Sequence, residues 1–275
     1  MLTGQSTMRV AVVQLTSGPD PAANLAAADT HTRAAAADGA TLVVLPEKFN
    51  VLGSGDDLRA GADDPHDGRA VTWMRHTARE LGLDLLGSVS VRGTGKLRNV
   101  CVHAGPGGEV RATYDKMHMF DVVVDGREYR ESAHEDPGDE IVVSETRDGV
   151  GLGLSVCYDL RFPELYRELA VRGARILVVP AAFTVATTRD HWEILLRARA
   201  IEDQAFVLAA NQVGEHPGGL RSGGRSMIVD PWGVILAQAA DGVGHVTADL
   251  DLAAQERIRA DLPSLANRRA AETFA

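Results

Sequence analysis

The chain has 275 residues, of which 45% are hydrophobic and 24% charged, an ordinary globular composition with ample length for one large core. Its formal net charge is −10 at pH 7, with no basic cluster; that is the wrong sign for a phosphate backbone or an anionic bilayer surface, so neither nucleic acid nor membrane is expected as a partner. The two cysteines, Cys101 and Cys157, allow one disulfide at most, and the opening MLTGQSTMRV lacks the apolar core of a secretory leader, so a cytoplasmic setting with both thiols free is predicted.

MRVAVVQL (8–15) predicts the first strand. A helix follows, with Asp20 as N-cap, Pro21 in the first helical position and Gly39 as the stop. TLVVLPE is a continuous apolar run that suits a strand covered on both faces. A loop rich in Gly and Asp (53–68) leads to a helix around AVTWMRHTARELG and a strand LDLLGSVSV. LRNVCVHAGPGGEVRATYDK has the pattern of a hairpin turning at Gly-Pro-Gly-Gly. From Phe120 to Glu140 no regular period is visible, and irregular stretches of this length inside compact domains commonly carry function.

IVVSETRDGVGLGLSVC supplies two strands, PELYRELAVRG a helix and ARILVVP a further strand. HWEILLRARAIEDQAF predicts an amphipathic helix with Ile194, Ala198, Ile201 and Ala205 along one face. VLAANQV, RSMIVDPWGVILAQA and GHVTADLDL are expected to close the sheet, with Asp-Pro-Trp-Gly as a turn, and a last helix covers 251–261. Hairpins among the crossovers exclude a purely parallel sheet. They fit two mixed sheets packed face to face with helices outside, in one α/β domain without a linker or repeat.

Ligands gather beyond the carboxyl ends of strands in α/β architectures, so reactive side chains just after a strand mark the candidate site. Three qualify: Glu47 after TLVVLP, Lys116 after EVRATYD and Cys157 after GVGLGLSV. Taken singly, Glu47 and Lys116 read more readily as solvated surface residues, and Cys101, mid-strand between Val100 and Val102, as a small core residue. Cys157 sits where a strand stops just ahead of a helix start, which predicts a partly exposed thiol near dipoles that favour thiolate. Together the three types suit attack on a carbonyl or nitrile carbon: the carboxylate removes the thiol proton and the ammonium holds the oxyanion.

LPEKF around Glu47, YDKMHMFD around Lys116 and CYDLRFPELYR around Cys157 resemble, in order and separation, the three signatures of the nitrilase (carbon–nitrogen hydrolase) superfamily. DHWEILLRARAIEDQAFVLAANQVG and GRSMIVDPWGVILA are similar to later blocks of its Nit branch, the branch of omega-amidase and deaminated-glutathione amidase. The likeness spans residues 8–262 as one domain and leaves 1–7 and 263–275 as terminal extensions. It implies a four-layer αββα sandwich that pairs into homodimers or larger homo-oligomers, and a stand-alone hydrolase needing no metal or cofactor. It also implies Cys157 as nucleophile, Glu47 as general base, and Lys116 with the Tyr158 backbone N–H as oxyanion holders. A second glutamate in a Glu-Ser pair falls on Glu131 of YRES, with Glu128 a near competitor.

Arg161, four residues after Cys157, is a candidate for holding a substrate carboxylate, the alternative being an ion pair with Glu164 or Asp159. Phe183 and Thr184 are expected to line the pocket. The reaction implied is amide hydrolysis of a small carboxylate-bearing molecule, with ammonia released through an acyl thioester. An N-carbamoyl amino acid hydrolase, a nitrilase, and a non-catalytic scaffold or redox protein using Cys157 as an oxidisable thiol are the alternatives. The glycines of GVGLGL precede a strand's end rather than follow one, so no dinucleotide site is implied. Lysine is confined to Lys48, Lys96 and Lys116, and this scarcity is read as compositional bias.

Overall fold

A computed structural model describes residues 7–269; positions 1–6 and 270–275 of the expected terminal extensions lie outside the described residues. Strands β1 (Thr7–Gln14), β2 (Leu42–Val44), β3 (Asp84–Arg92), β4 (Leu97–Ala104) and β5 (Val110–Asp115) belong to one sheet. A hairpin β6 (Asp121–Val124) and β7 (Arg127–Arg130) stands apart, as does a second, β12 (Val213–His216) with β13 (Leu220–Gly223). β8 (Val143–Glu145), β9 (Gly151–Leu154), β10 (Ile176–Ala181), β11 (Phe206–Asn211), β14 (Met227–Val229) and β15 (Ile235–Gln238) form the other large sheet. β16 (Gly244–Asp251) returns to the first sheet and lies antiparallel to β1, so the closing strands divide between the two sheets.

The helices are α1 (Pro21–Ala37), α2 (Gly55–Gly61), α3 (Arg69–Leu81), α4 (Pro163–Val171), the single turn α5 (Val185–Thr187), α6 (Glu193–Asp203) and α7 (Leu252–Asp261). The period of two along a strand assigns the layers. Val10, Val12, Leu42 and Val44 pack in one core with Leu152, Leu154, Ile176 and Val178 of the other sheet. Their neighbours Ala11, Val13, Val43 and Leu45 pack instead with Ala28 and Ala35 of α1 and Met74 and Ala78 of α3. Leu165 and Leu169 of α4 and Leu196 and Ala200 of α6 cover the second sheet. The four-layer αββα sandwich follows.

Local chemistry explains the helix ends. Asp20 caps α1, accepting from the Ala22 and Ala23 N–H groups, and Gly39 turns the chain at φ +90°. Three expectations need correction. The loop 53–68 contains α2, begun by a reciprocal Ser54–Asp57 capping box. The irregular stretch 120–140 contains the β6–β7 hairpin, whose Asp125-Gly126 turn has both φ values positive at 49° and 73°, as a type I′ turn requires. Along α6, Ile194 and Ile201 are 68% and 50% exposed, because the face that meets the sheet carries Leu196, Arg199, Ala200 and Asp203.

Gly151 and Gly153 of GVGLGL serve close approach. A Cβ on Gly151 would lie 2.3 Å from the Gly173 carbonyl oxygen, and one on Gly153 would press on Ala174 and Leu169. β9 can therefore lie tight against the loop leading into β10, which sets the height at which Cys157 leaves the strand. Gly151→Ala is expected to cost about 1–3 kcal/mol of overpacking, measured as a lowered urea midpoint with an unchanged slope.

Candidate active site

The exits of β2, β5, β7, β9 and β10 open on one cavity of 370 Å³, lined among others by Glu47, Lys116, Glu131, Cys157, Tyr158, Arg161, Phe183 and Thr184. Every residue singled out in the sequence for this site therefore borders the same space, although they come from both sheets.

Glu47 is 3% exposed. Its Oε1 accepts from Asn99 Nδ2 at 2.7 Å and from Lys116 Nζ at 3.0 Å. Its backbone carbonyl accepts from Gln212 Nε2 at 2.9 Å, so side chains of both sheets hold it. Lys116 is 1% exposed and also donates to Glu131, at 2.9 Å to Oε1 and 2.7 Å to Oε2. Burial works against the Lys116 charge, but Glu131 and Glu47 outweigh it and hold the ammonium well above its ordinary pKa. Burial likewise disfavours the Glu131 carboxylate, yet Lys116 and Lys48 prevail and hold it well below the usual carboxylate range. Glu128, the competitor, also borders the cavity but does not reach Lys116: it is exposed and pairs with Arg130 at 2.7 Å.

Cys157 stands in the left-handed region at φ +50°, a conformation that costs a non-glycine residue roughly 1–2 kcal/mol. Asp159 holds this bend. Its Oδ2 accepts from the Val156 N–H at 2.9 Å and the Tyr114 hydroxyl at 2.8 Å; its Oδ1 accepts from the His118 N–H at 3.1 Å and lies 2.7 Å from His118 Nδ1. The His118 ring in turn stacks on Phe162 with centroids 3.6 Å apart. The thiol is 8% exposed rather than partly open. Burial, then the Glu47 carboxylate, pushes it well above its ordinary value, and Lys116 does not reverse this. The partly exposed thiol expected from the sequence is thereby corrected. The strand-end dipoles are outweighed by desolvation and a neighbouring anion, both of which disfavour the Cys157 thiolate.

Arg161 pairs with neither Glu164 nor Asp159, and the Asp159 oxygens are already engaged. Its guanidinium lies 5.5 Å from the Phe183 ring centre and 5.8 Å from that of Tyr158, with His191 Nδ1 at 3.3 Å. Phe183 is buried, its N–H donating to Asn211 Oδ1 at 2.9 Å. The Thr184 hydroxyl is occupied in capping α5, accepting from the Thr187 N–H at 3.3 Å. Farther out, Arg127 donates to the Gly219 and Gly218 carbonyls at 2.9 and 3.0 Å, joining the two small hairpins along the cavity wall.

Sequence reasoning missed Asn99, Lys48 and Glu135. Asn99 lies mid-strand among apolar residues, and an inward amide there was the available signal. Lys48 and Glu135 are 6% and 1% exposed. Lys48 Nζ lies 3.1 Å from Glu131 Oε1 and 2.5 Å from Glu135 Oε1. Burial pushes Glu135 up to about 7 against the pull of Lys48. The signal for Lys48 was the scarcity itself: two of the chain's three lysines are buried here. Among the described residues no cluster of His, Cys, Asp and Glu is arranged to hold a metal ion.

The carbon–nitrogen hydrolase family model matches residues 9–260. Deaminated glutathione amidase of Bos taurus is 40% identical over 267 residues, covering 94% of this chain and 81% of that protein. Omega-amidase NIT2 of Danio rerio is 36% identical over 96% of this chain and 95% of its own. The crystal structure of the C. elegans NitFhit protein superposes with a TM-score of 0.88 at 36% identity, over 98% of this chain and 66% of that longer one. With four exposed-to-buried layers, a cysteine at a strand exit and a glutamate and lysine beside it, the chain belongs to the carbon–nitrogen hydrolase family.

Proposed function

We propose that this cavity hydrolyses the amide of a small carboxylate-bearing molecule and releases ammonia. The observation that carries the reading is the convergence of Cys157, Glu47 and Lys116 from three strand exits on one cavity, with Glu131 locked on the lysine. The names of the similar amidases support the amide over the N-carbamoyl group or the nitrile.

Because the resting thiol is protonated, its proton leaves as the sulfur attacks. Glu47 takes that proton, the Cys157 Sγ–C bond forms, and the carbonyl oxygen becomes an oxyanion between Lys116 Nζ and the Tyr158 N–H. Collapse of this intermediate breaks the C–N bond while Glu47 returns the proton to nitrogen, so ammonia departs and an acyl thioester remains. Water then gives a proton to Glu47 and attacks the thioester. The thiolate leaves as the acid forms and recovers its proton from Glu47. Glu131 keeps Lys116 oriented throughout, and a carboxylate on the substrate meets Arg161, whose guanidinium is stacked on Phe183 and Tyr158 without an acidic partner among the described residues.

The functional unit is one domain spanning 8–262, and two free thiols support a reducing, cytoplasmic setting. A homodimer or larger homo-oligomer is supported by an apolar patch on α6 and the β14–β15 turn: Ile194, Ile201 and Trp232 are 68%, 50% and 59% exposed. These elements are joined beneath the patch, with Arg197 Nε donating to the Gly233 carbonyl at 2.8 Å.

Cys157→Ala is expected to abolish ammonia release, and Glu47→Gln to lower kcat by about 10²–10⁴-fold; a Cys157→Ala protein with full activity rejects the scheme. Arg161→Met is expected to raise KM roughly tenfold or more for a carboxylate-bearing amide, the loss of one charge-assisted hydrogen-bond pair, and to leave a neutral amide of equal size unaffected. Ile201→Arg is expected to lower the mass measured by light scattering, whereas a native protein already monomeric would refute the oligomer.

A further inference from the structure

Glu47 and Lys48 are consecutive, and in a continued strand their side chains would point to opposite sides. They do not, because Lys48 is left-handed at φ +50°, and both border the same cavity. The bend is held from the next strand, where Ser88 Oγ accepts from the Lys48 N–H at 3.2 Å and the Ser88 carbonyl accepts from the Phe49 N–H at 3.1 Å. A strained, non-glycine backbone that delivers a second ammonium into a buried site calls for a reason in the site.

Counting charges supplies it. Glu47, Lys116 and Glu131 alone place one ammonium between two buried carboxylates. Such a cluster is net negative beside a thiol that must lose a proton, and its single positive charge is neutralised twice over. Lys48 changes the balance. Glu131 Oε1 accepts from both Lys48 and Lys116, while Oε2 accepts from Lys116 and from the Phe120 N–H at 2.8 Å. Glu135 fixes the far side of Lys48 through Oε1, whereas its Oε2 is buried without a partner. A pair selected for stability alone would not leave that oxygen unsatisfied.

Building on the hydrolytic reading above, we propose that Lys48, anchored by Glu135, is a positioning residue of the reaction centre. It shares the charge of Glu131, so that Glu131 orients Lys116 without quenching the positive charge that the oxyanion needs. The groups facing Lys48 are Glu47, Lys116, Glu131 and Glu135, with Cys157 and His134 on the same cavity wall.

The test compares Lys48→Met, Glu135→Leu and the double variant in the full chain, reading thermal midpoint, kcat and KM on the same amide. The single variants each strand a buried charge and should lower the midpoint, and the double variant should recover it. The positioning role predicts that kcat falls about 10- to 100-fold in Lys48→Met, that KM stays within about twofold, and that kcat stays low in the double variant despite the recovered midpoint. Recovery of kcat together with the midpoint would reduce the pair to a structural one and overturn the proposal, as would a Lys48→Met protein with native kcat. The rate of Cys157 alkylation by iodoacetamide, corrected with Cys157→Ala, separates this from failure of the hydrolytic reading. If no amide is turned over, slower alkylation in Lys48→Met still supports the electrostatic role of Lys48, and an unchanged rate rejects it.

Discussion

The buried chain of charge from Glu47 through Lys116 to Glu131 is the constraint around which the site is built. Removing one ion from water costs several kcal/mol, and a buried carboxylate is tolerable only when its oxygens are satisfied. The protein meets that demand from both sheets. Asn99 and Lys116 hold the Glu47 side chain from the first sheet, and Gln212 beyond the second holds its backbone. Glu131 needs the Phe120 N–H, which places the end of the β6–β7 hairpin over the lysine. The face-to-face packing of two sheets is thus what makes the charged cluster possible, because no single strand exit carries enough donors.

A second consequence concerns the Cys157 thiol. The carboxylate that would accept the thiol proton also keeps that proton in place at rest, since its negative charge and the burial both disfavour thiolate. A thiol held in this way is protected from adventitious oxidation, which follows thiolate character and exposure. Under the proposed hydrolysis, ionisation is deferred until an electrophile is in position. The left-handed geometry of Cys157 and its restraint by Asp159 then matter more than the dipole of the following helix, because they fix where the sulfur points.

Much of this was legible in the chain. Short β-branched runs marked the strands of both sheets, Asp20 and Pro21 marked the start of α1, and asking which reactive side chains follow strands found Glu47, Lys116 and Cys157. The signature blocks added Glu131. What stayed hidden depends on partners distant in sequence. Glu135 differs from any solvated glutamate only through Lys48, which is 87 positions away by number. Lys48 itself was obscured by the expectation that strand neighbours alternate, which one positive φ defeats. On α6 the apolar periodicity pointed to Ile194 and Ile201, yet Arg199 and Asp203 lie on the buried face: Arg199 donates to the Leu160 carbonyl at 2.8 Å, and Asp203 lies 3.3 Å from Arg167. Hydrophobic pattern cannot anticipate polar groups that meet partners on another element.

The most direct test is a pH titration of the thiolate ultraviolet absorbance of the native protein, taken as a difference from Cys157→Ala so that Cys101 cancels. The charge arrangement predicts no Cys157 thiolate at neutral pH, ionisation only above the ordinary thiol value of 9.0, and a downward move of that transition in Glu47→Gln, where the neighbouring negative charge is gone. A full thiolate signal at neutral pH, unchanged by Glu47→Gln, would contradict it.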